Sequence, residues 1–192
     1  MLVRSRETSM ENLRKAISST IASIEAYDSI EKAHIEDAIA WIRSGAEIFR
    51  IAKPDTPPKH LISYVLLYDD EKKKVLLVDH KKSGLWLPAG GHVDVGEDPK
   101  SAAKRELYEE LNIESELAEE DPIFLTITKT VGNVAEHTDV SLWYLFKGDS
   151  RTALSFDRRE FHRISWFSLD EVPYEKSDPH MRRFVSKLCS LK

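Results

Sequence analysis

Between Leu85 and Ile113 the chain runs Leu-Trp-Leu-Pro-Ala-Gly-Gly-His-Val-Asp-Val-Gly-Glu, then Asp98-Pro99 and a stretch with apolar residues at helical spacing. This order specifies a glycine-rich loop feeding a helix. Pro99 suits the first helical position, where its missing N–H has no partner to lose, and Asp98 caps the free amides beside it. Ala102, Ala103, Leu107 and Leu111 form an apolar stripe that needs a core to face, while Glu106, Glu109 and Glu110, three and four residues apart, share another face. Like charges so spaced cost ~0.2–0.5 kcal/mol per pair on an exposed helix. Two readings of the cluster stand: a charged face screened by solvent, Lys104 and Arg105, or carboxylates placed to hold divalent cations. An all-oxygen donor set of this kind suits Mg²⁺ or Mn²⁺. Gly90 and Gly91 favour the second reading, because a backbone without Cβ passes close to a ligand and can offer it a carbonyl.

The rest of the chain reads as support for this segment. Leu13, Ile17, Ile21 and Ile24, then Ile35, Ile39, Ile42 and Ile48, recur at helical spacing and predict two helices, the second capped by Asp28 or Ser29. They end at the proline run Lys53 to Pro58, which reads as a linker and divides the chain into an extension, 1–53, and a main domain, 54–192. Beyond it, Leu61–Tyr68 and Val75–Asp79 read as a hairpin. Asp121–Val131 and His137–Phe146 read as a second strand pair, with turn chemistry at Gly132-Asn133. A short strand over Arg163–Phe167 and a helix over Pro179–Leu188 close the pattern.

Composition narrows the class. At 192 residues with 41% hydrophobic content, one ordinary core is expected and wholesale disorder is excluded. A formal net charge of −5 disfavours a nucleic-acid binder. The single Cys189 excludes an internal disulfide and fits a reducing compartment. No run reaches the roughly 20 apolar residues of a membrane span, and Met1–Met10 lacks a secretory apolar core, so a cytoplasmic location is expected.

One pattern is more specific than any of these. Gly91, five residues, Glu97, seven residues, Arg105-Glu106-Leu107, one residue, Glu109-Glu110, one residue and Asn112-Ile113 resemble the box of Nudix hydrolases, which has glycine where this chain has Asn112. Asn is the next choice after Gly for the left-handed conformation that a residue just past a helix end often needs, so retained activity is expected. The resemblance implies an α/β/α sandwich with a mixed β-sheet, here preceded by a two-helix extension like that of some other Nudix proteins. It also implies water attack on the phosphoanhydride of a nucleoside diphosphate linked to another group X. The X group could make the substrate a nucleoside triphosphate, an oxidised one included, or a nucleotide-sugar-like compound.

The same resemblance distributes roles. Glu106, Glu109 and Glu110 are implied as ligands for Mg²⁺, with Mn²⁺ a substitute, and the Gly90 carbonyl as a further ligand. Glu97 and Arg105 are implied as a brace between loop and helix. The general base is a box glutamate or a carboxylate arriving later, for which Glu160 is the candidate; an exposed loop residue is its alternative reading. His137 and Asp139 offer a ligand or polar contact to substrate, or simple turn chemistry. Trp143 and Tyr144 alternate on one strand, so one of them is expected to face the cleft for base stacking. The extension has three open roles: shaping the pocket, forming a homodimer interface, or covering the sheet. A nucleotide-binding regulatory module without turnover is the alternative function, and an RNA 5′-end processing enzyme is a third.

Overall fold

The computed structural model describes residues 2–130 and 136–191; the expected turn at Gly132-Asn133 lies outside them. Helices α1 (Leu2–Ala22) and α2 (Ser29–Arg43) come first, then strands β1 (Lys59–Asp69), β2 (Lys74–His80), β3 (Leu85–Leu87) and β4 (Ala89–His92). Helix α3 (Pro99–Leu111), strands β5 (Phe124–Lys129), β6 (Thr138–Lys147) and β7 (Phe161–Ser168), a 3₁₀ turn Tyr174–Lys176 and helix α4 (Met181–Ser190) complete the described chain. The strands form one mixed sheet flanked by helices, in the order β3-β2-β1-β6-β5, with β4 on β1 and β7 on β2.

Strand β1 is the axis of the molecule. It runs parallel to β6 from Lys59↔Thr138 to Tyr68↔Lys147 but pairs with β2 only at Tyr68↔Val75 and Asp69↔Lys74. Beyond those two positions β1 takes β4 along Ile62–Val65 while β2 takes β3 along Val78–His80. The segment that the sequence reads as a plain loop therefore carries two short strands. Their glycines and proline give no alternation to detect, and only the parting of β1 and β2 gives their backbone partners.

Alternation along β1 and β6 divides the core between the two faces. Leu61, Val65 and Leu67 join Val140, Leu142, Tyr144 and Phe146 on the side of Ala102, Leu107 and Leu111 from α3. Leu66, Tyr68, Trp143 and Leu145 pack on the other side against Phe184 and Leu188 of α4. Here the expectation for Trp143 and Tyr144 is corrected. Both are buried, at 0% and 1% exposure, on opposite faces of the sheet. Trp143 stacks on Phe184 and donates its indole N–H to Thr126 Oγ1 at 2.9 Å. Because β6 is an interior strand, covered by helices on both faces, neither ring is left for a substrate.

The extension covers an edge. Strand β5 ends the sheet, and two of its outward N–H groups are taken by α2: Leu125 N–H donates to Glu31 Oε1 and Ile127 N–H to His34 Nδ1, each at 3.2 Å. Unpaired edge amides otherwise invite another strand. Glu31 is fully buried and also receives Lys187 Nζ at 2.9 Å, while Asp28 caps α2 and holds the Arg183 guanidinium at 2.6 and 2.7 Å. The Arg183 hydrogen bonds keep the Asp28 carboxyl down at about 2. Ile17, Ile21, Ile35 and Ile42 complete the attachment by entering the same core as the sheet.

Candidate active site

Helix α3 is built as its sequence dictates. Asp98 accepts the Ser101 N–H at 3.1 Å, Pro99 occupies the first turn, and Asn112 ends the helix in the left-handed conformation, φ 52°, with its N–H returned to Tyr108. With the ends fixed and Leu107 and Leu111 in the core, the glutamate face turns toward the β4 loop. The three carboxylates are not equivalent: Glu110 is 7% exposed, the Glu106 side chain 12% and the Glu109 side chain 57%.

The loop and helix interlock through two hydrogen-bond sets. Gly90 N–H donates to Glu110 Oε2 at 2.7 Å. Arg105 is the hub of the other set, giving Nε and Nη2 to the two Glu97 oxygens at 2.9 and 2.8 Å, Nη2 to the His92 carbonyl at 3.0 Å, and Nη1 to Glu106 at 2.6 Å. Glu97 in turn accepts the Asp94 N–H at 3.0 Å, closing the bracing turn. Burial alone would raise the Glu97 carboxyl, but its hydrogen bonds to Arg105 win and hold it low.

Glu106 and Glu110 both shift the opposite way from Glu97. Burial pushes Glu110 up to about 9 against the pull of the Gly90 amide, and the charges of Glu106, Glu160 and Asp157 add to the rise. Burial also raises Glu106, overriding the contact with Arg105. These acids line a cleft of about 1040 Å³, the upper end of the size of small-molecule sites. Glu109 and Glu160 line it as well, so the structure brings the distal candidate to the box. Arg50, Lys53 and Lys82 supply positive charge around it. Lys81, next to Lys82 in the chain, donates its amine to the Arg158 carbonyl at 2.5 Å.

His137 and Asp139 reach the cleft too, joined by Asp55, Tyr64, His92 and Asp178, which sequence reasoning did not select. Asp178 is buried and raised by that burial to about 6. The signal that was present is polarity out of place: Asp55 inside the proline linker, and Asp178 just before Pro179.

Residues 58–188 match the NUDIX domain family. The chain belongs to that family. It is 28% identical over 128 residues to the uncharacterized Nudix hydrolase YvcI of Bacillus subtilis strain 168, covering 64% of this chain and 76% of that one. A MutT-like protein of Streptomyces ambofaciens is 25% identical over 136 residues, covering 69% of this chain and 80% of that protein. The crystal structure of a NUDIX family hydrolase from Clostridium perfringens shares the fold, with a TM-score of 0.54 and 24% identity over 69% of this chain and 98% of that one. As a Nudix hydrolase the protein is an enzyme acting on pyrophosphate bonds, in a family whose members use divalent metals.

The Nudix residues present fit such a metal. Glu106 and Glu110 are hard oxygen donors that burial makes reluctant to ionise, and a cation supplies the missing charge. In protein freed of divalent ions, Glu110 keeps a proton when folded that it loses when unfolded, between its ordinary 4.5 and about 9. Its contribution is fully present below 4.5 and is lost as pH rises toward 9, by on the order of a few kcal/mol. Thermal unfolding with chelator should therefore show Tm falling by ~5–10 °C between pH ~6 and ~9, and Mg²⁺ should restore it. Superimposable curves with and without the ion would sink this account.

The two glycines of the Nudix loop separate stability from positioning. A Cβ on Gly90, at φ +130°, would lie 2.2 Å from the Ser63 carbonyl oxygen, a backbone atom that cannot yield. Gly90→Ala should cost about 2–5 kcal/mol by thermal melt. On Gly91 the Cβ would meet Glu106 Oε1 at 2.6 Å, the end of a movable side chain. Gly91→Ala should melt within ~1 kcal/mol of the parent yet lose ~10–100-fold in metal affinity, read by Mn²⁺ titration. Equal metal affinity would show that Glu106 needs no such placement.

Proposed function

We propose that the protein is a Mg²⁺-dependent pyrophosphohydrolase, with Mn²⁺ able to substitute, that opens the phosphoanhydride of a nucleoside diphosphate linked to a second group. Nucleoside triphosphates, oxidised ones included, and nucleotide-sugar-like compounds are the candidate substrates. The observation that carries the reading is a buried Glu110 and a half-buried Glu106, both carboxyls raised by burial, lining one cleft together with Arg50, Lys53 and Lys82. The cluster alone would repel a polyphosphate.

Glu106, Glu109 and Glu110, with the Gly90 carbonyl, would hold the cation. When bound, it neutralises phosphate oxygens and eases ionisation of the attacking water. Glu97 fixes Arg105, and Arg105 fixes Glu106, so these two position the ligands. Glu160, exposed at the start of β7 and within electrostatic reach of Glu106 and Glu110, is assigned the water's proton. The basic residues around the cleft attract the diphosphate, and His137 and Asp139 lie where they can contact the remainder of the substrate. Residues 1–53 act as an extension to a hydrolase domain over 54–192. The net charge of −5 favours a small nucleotide over RNA, and a cytoplasmic setting is part of the reading. No helix among the described residues is long and apolar enough to cross a membrane.

The test is chromatographic detection of the nucleotide products, with pyrophosphate release followed for the triphosphates, across nucleoside triphosphates, dinucleoside polyphosphates and nucleotide sugars, with Mg²⁺ and with Mn²⁺. Turnover of at least one class, abolished by chelator, is the expected result. No hydrolysis product from any class with either ion would overturn the proposal.

A further inference from the structure

At and just behind the cleft wall, two histidines and two aspartates come together from three parts of the chain. Asp55 comes from the proline linker, His60 from the start of β1, His137 from the residue just before β6 and Asp139 from its start, with His60 and Asp139 facing each other in the parallel register. One donor atom each from Asp55, His60 and His137 lie within 4.8 Å of one another.

The tautomer of His60 gives the group its meaning. Its Nδ1 lies 2.9 Å from the Pro57 carbonyl, an acceptor only, so Nδ1 carries hydrogen and, in the neutral ring, Nε2 presents a lone pair. His60 is fully buried, and Nε2 has no hydrogen-bond partner; neither does Asp139 Oδ1, which lies 3.4 Å away. Two bare acceptors face each other inside the protein, where an unsatisfied polar atom is costly. His137 Nε2 lies 3.3 Å from the same Asp139 oxygen, and His137 Nδ1 lies 3.5 Å from Asp55 Oδ2. These separations exceed ordinary N–H···O lengths of about 2.7–3.2 Å. The two His137 contacts use different ring nitrogens, of which a single ion can take one, so the donor set is one atom each from Asp55, His60 and His137, with Asp139 beside it.

We propose that Asp55, His60 and His137 form a second divalent-cation site, separate from the glutamate box, with Asp139 as its neighbour. Two imidazoles with one carboxylate suit Zn²⁺ or Co²⁺ better than Mg²⁺. The Pro57 carbonyl on His60 Nδ1 is the outer contact that orients such a ligand. An ion here ties residues 54–58 to the start of the sheet and adds fixed positive charge to the wall of the cleft. His92 connects the two centres: its ring lies 4.9 Å from that of His60, and its carbonyl receives Arg105. A proton shared between His60 and Asp139 is the competing occupant.

Co²⁺ titration of the full chain, with Mg²⁺ in excess to occupy the box, decides between them. The expected result is uptake of one equivalent with visible absorption bands from imidazole ligation, retained in Glu110→Gln. His137→Ala and Asp55→Asn should lose the bands and bind Co²⁺ at least ~10-fold more weakly. Asp55→Asn, on the linker, serves where loss of His137 impairs folding. Wild-type protein without the bands, or both variants binding Co²⁺ as it does, would overturn the site and leave the proton in possession.

Discussion

Glu110→Gln is expected to lower kcat by ~10²–10³-fold, with the protein still folded. Gln keeps the length of the side chain and a carbonyl oxygen for the Gly90 N–H, now 2.7 Å from Glu110 Oε2, so loop and helix stay locked. On the proposed reading, what disappears is one negative ligand from a site where several kcal/mol of transition-state charge stabilisation are at stake, each 1.36 kcal/mol being tenfold in rate. The melting temperature of the metal-free variant should not fall, because an acid that burial holds up at about 9 is no asset to the folded state. Turnover against Mg²⁺ concentration provides the measurement. A variant with wild-type kcat and wild-type Mg²⁺ dependence would remove Glu110 from the site, and with it the reading of α3 as a metal face. It would also reopen the alternative of a module that holds a nucleotide without cleaving it.

The largest stability effect belongs to the pair that joins the extension to the last helix. Lys187→Met should destabilise the protein by about 3–5 kcal/mol, a Tm decrease on the order of 10 °C or more. The Glu31 and Lys187 side chains are 0% and 5% exposed, and Lys187 gives its three protons to Glu31 Oε1, Glu31 Oε2 and the Glu25 carbonyl. Removing the lysine leaves a carboxylate in the interior with only the Tyr27 and Leu125 amides. Removing both charges is milder: Glu31→Gln with Lys187→Met should recover most of the loss, since Gln still accepts those amides. Denaturant melts of the two single variants and the double close the cycle. Additive single effects would show that the two side chains are not coupled and that the extension is held by its apolar contacts alone.

The box was readable because everything that makes it is local. Offsets of three and four put Glu106, Glu109 and Glu110 on one helix face whatever the rest of the chain does, and Asp98, Pro99 and Asn112 set the ends from within a few residues. The β1–β2 and β5–β6 pairings were legible for a similar reason, neighbours in sequence being neighbours in the sheet. Trp143 and Tyr144 mark the limit. Alternation shows that they point to opposite faces, but whether a face is cleft or core depends on α4 arriving from far along the chain to cover Trp143.

Sequence alone determined the loop–helix and its acidic face, which follow from helix period, capping chemistry and glycine's missing side chain, while the fold family came from the resemblance of the box to that of Nudix hydrolases. Tertiary structure decided which glutamates are buried, what α2 covers, and that His60 meets Asp139. Those depend on strand register and on packing across tens of residues, where no local period carries the information and only burial of the whole core selects one partner over another.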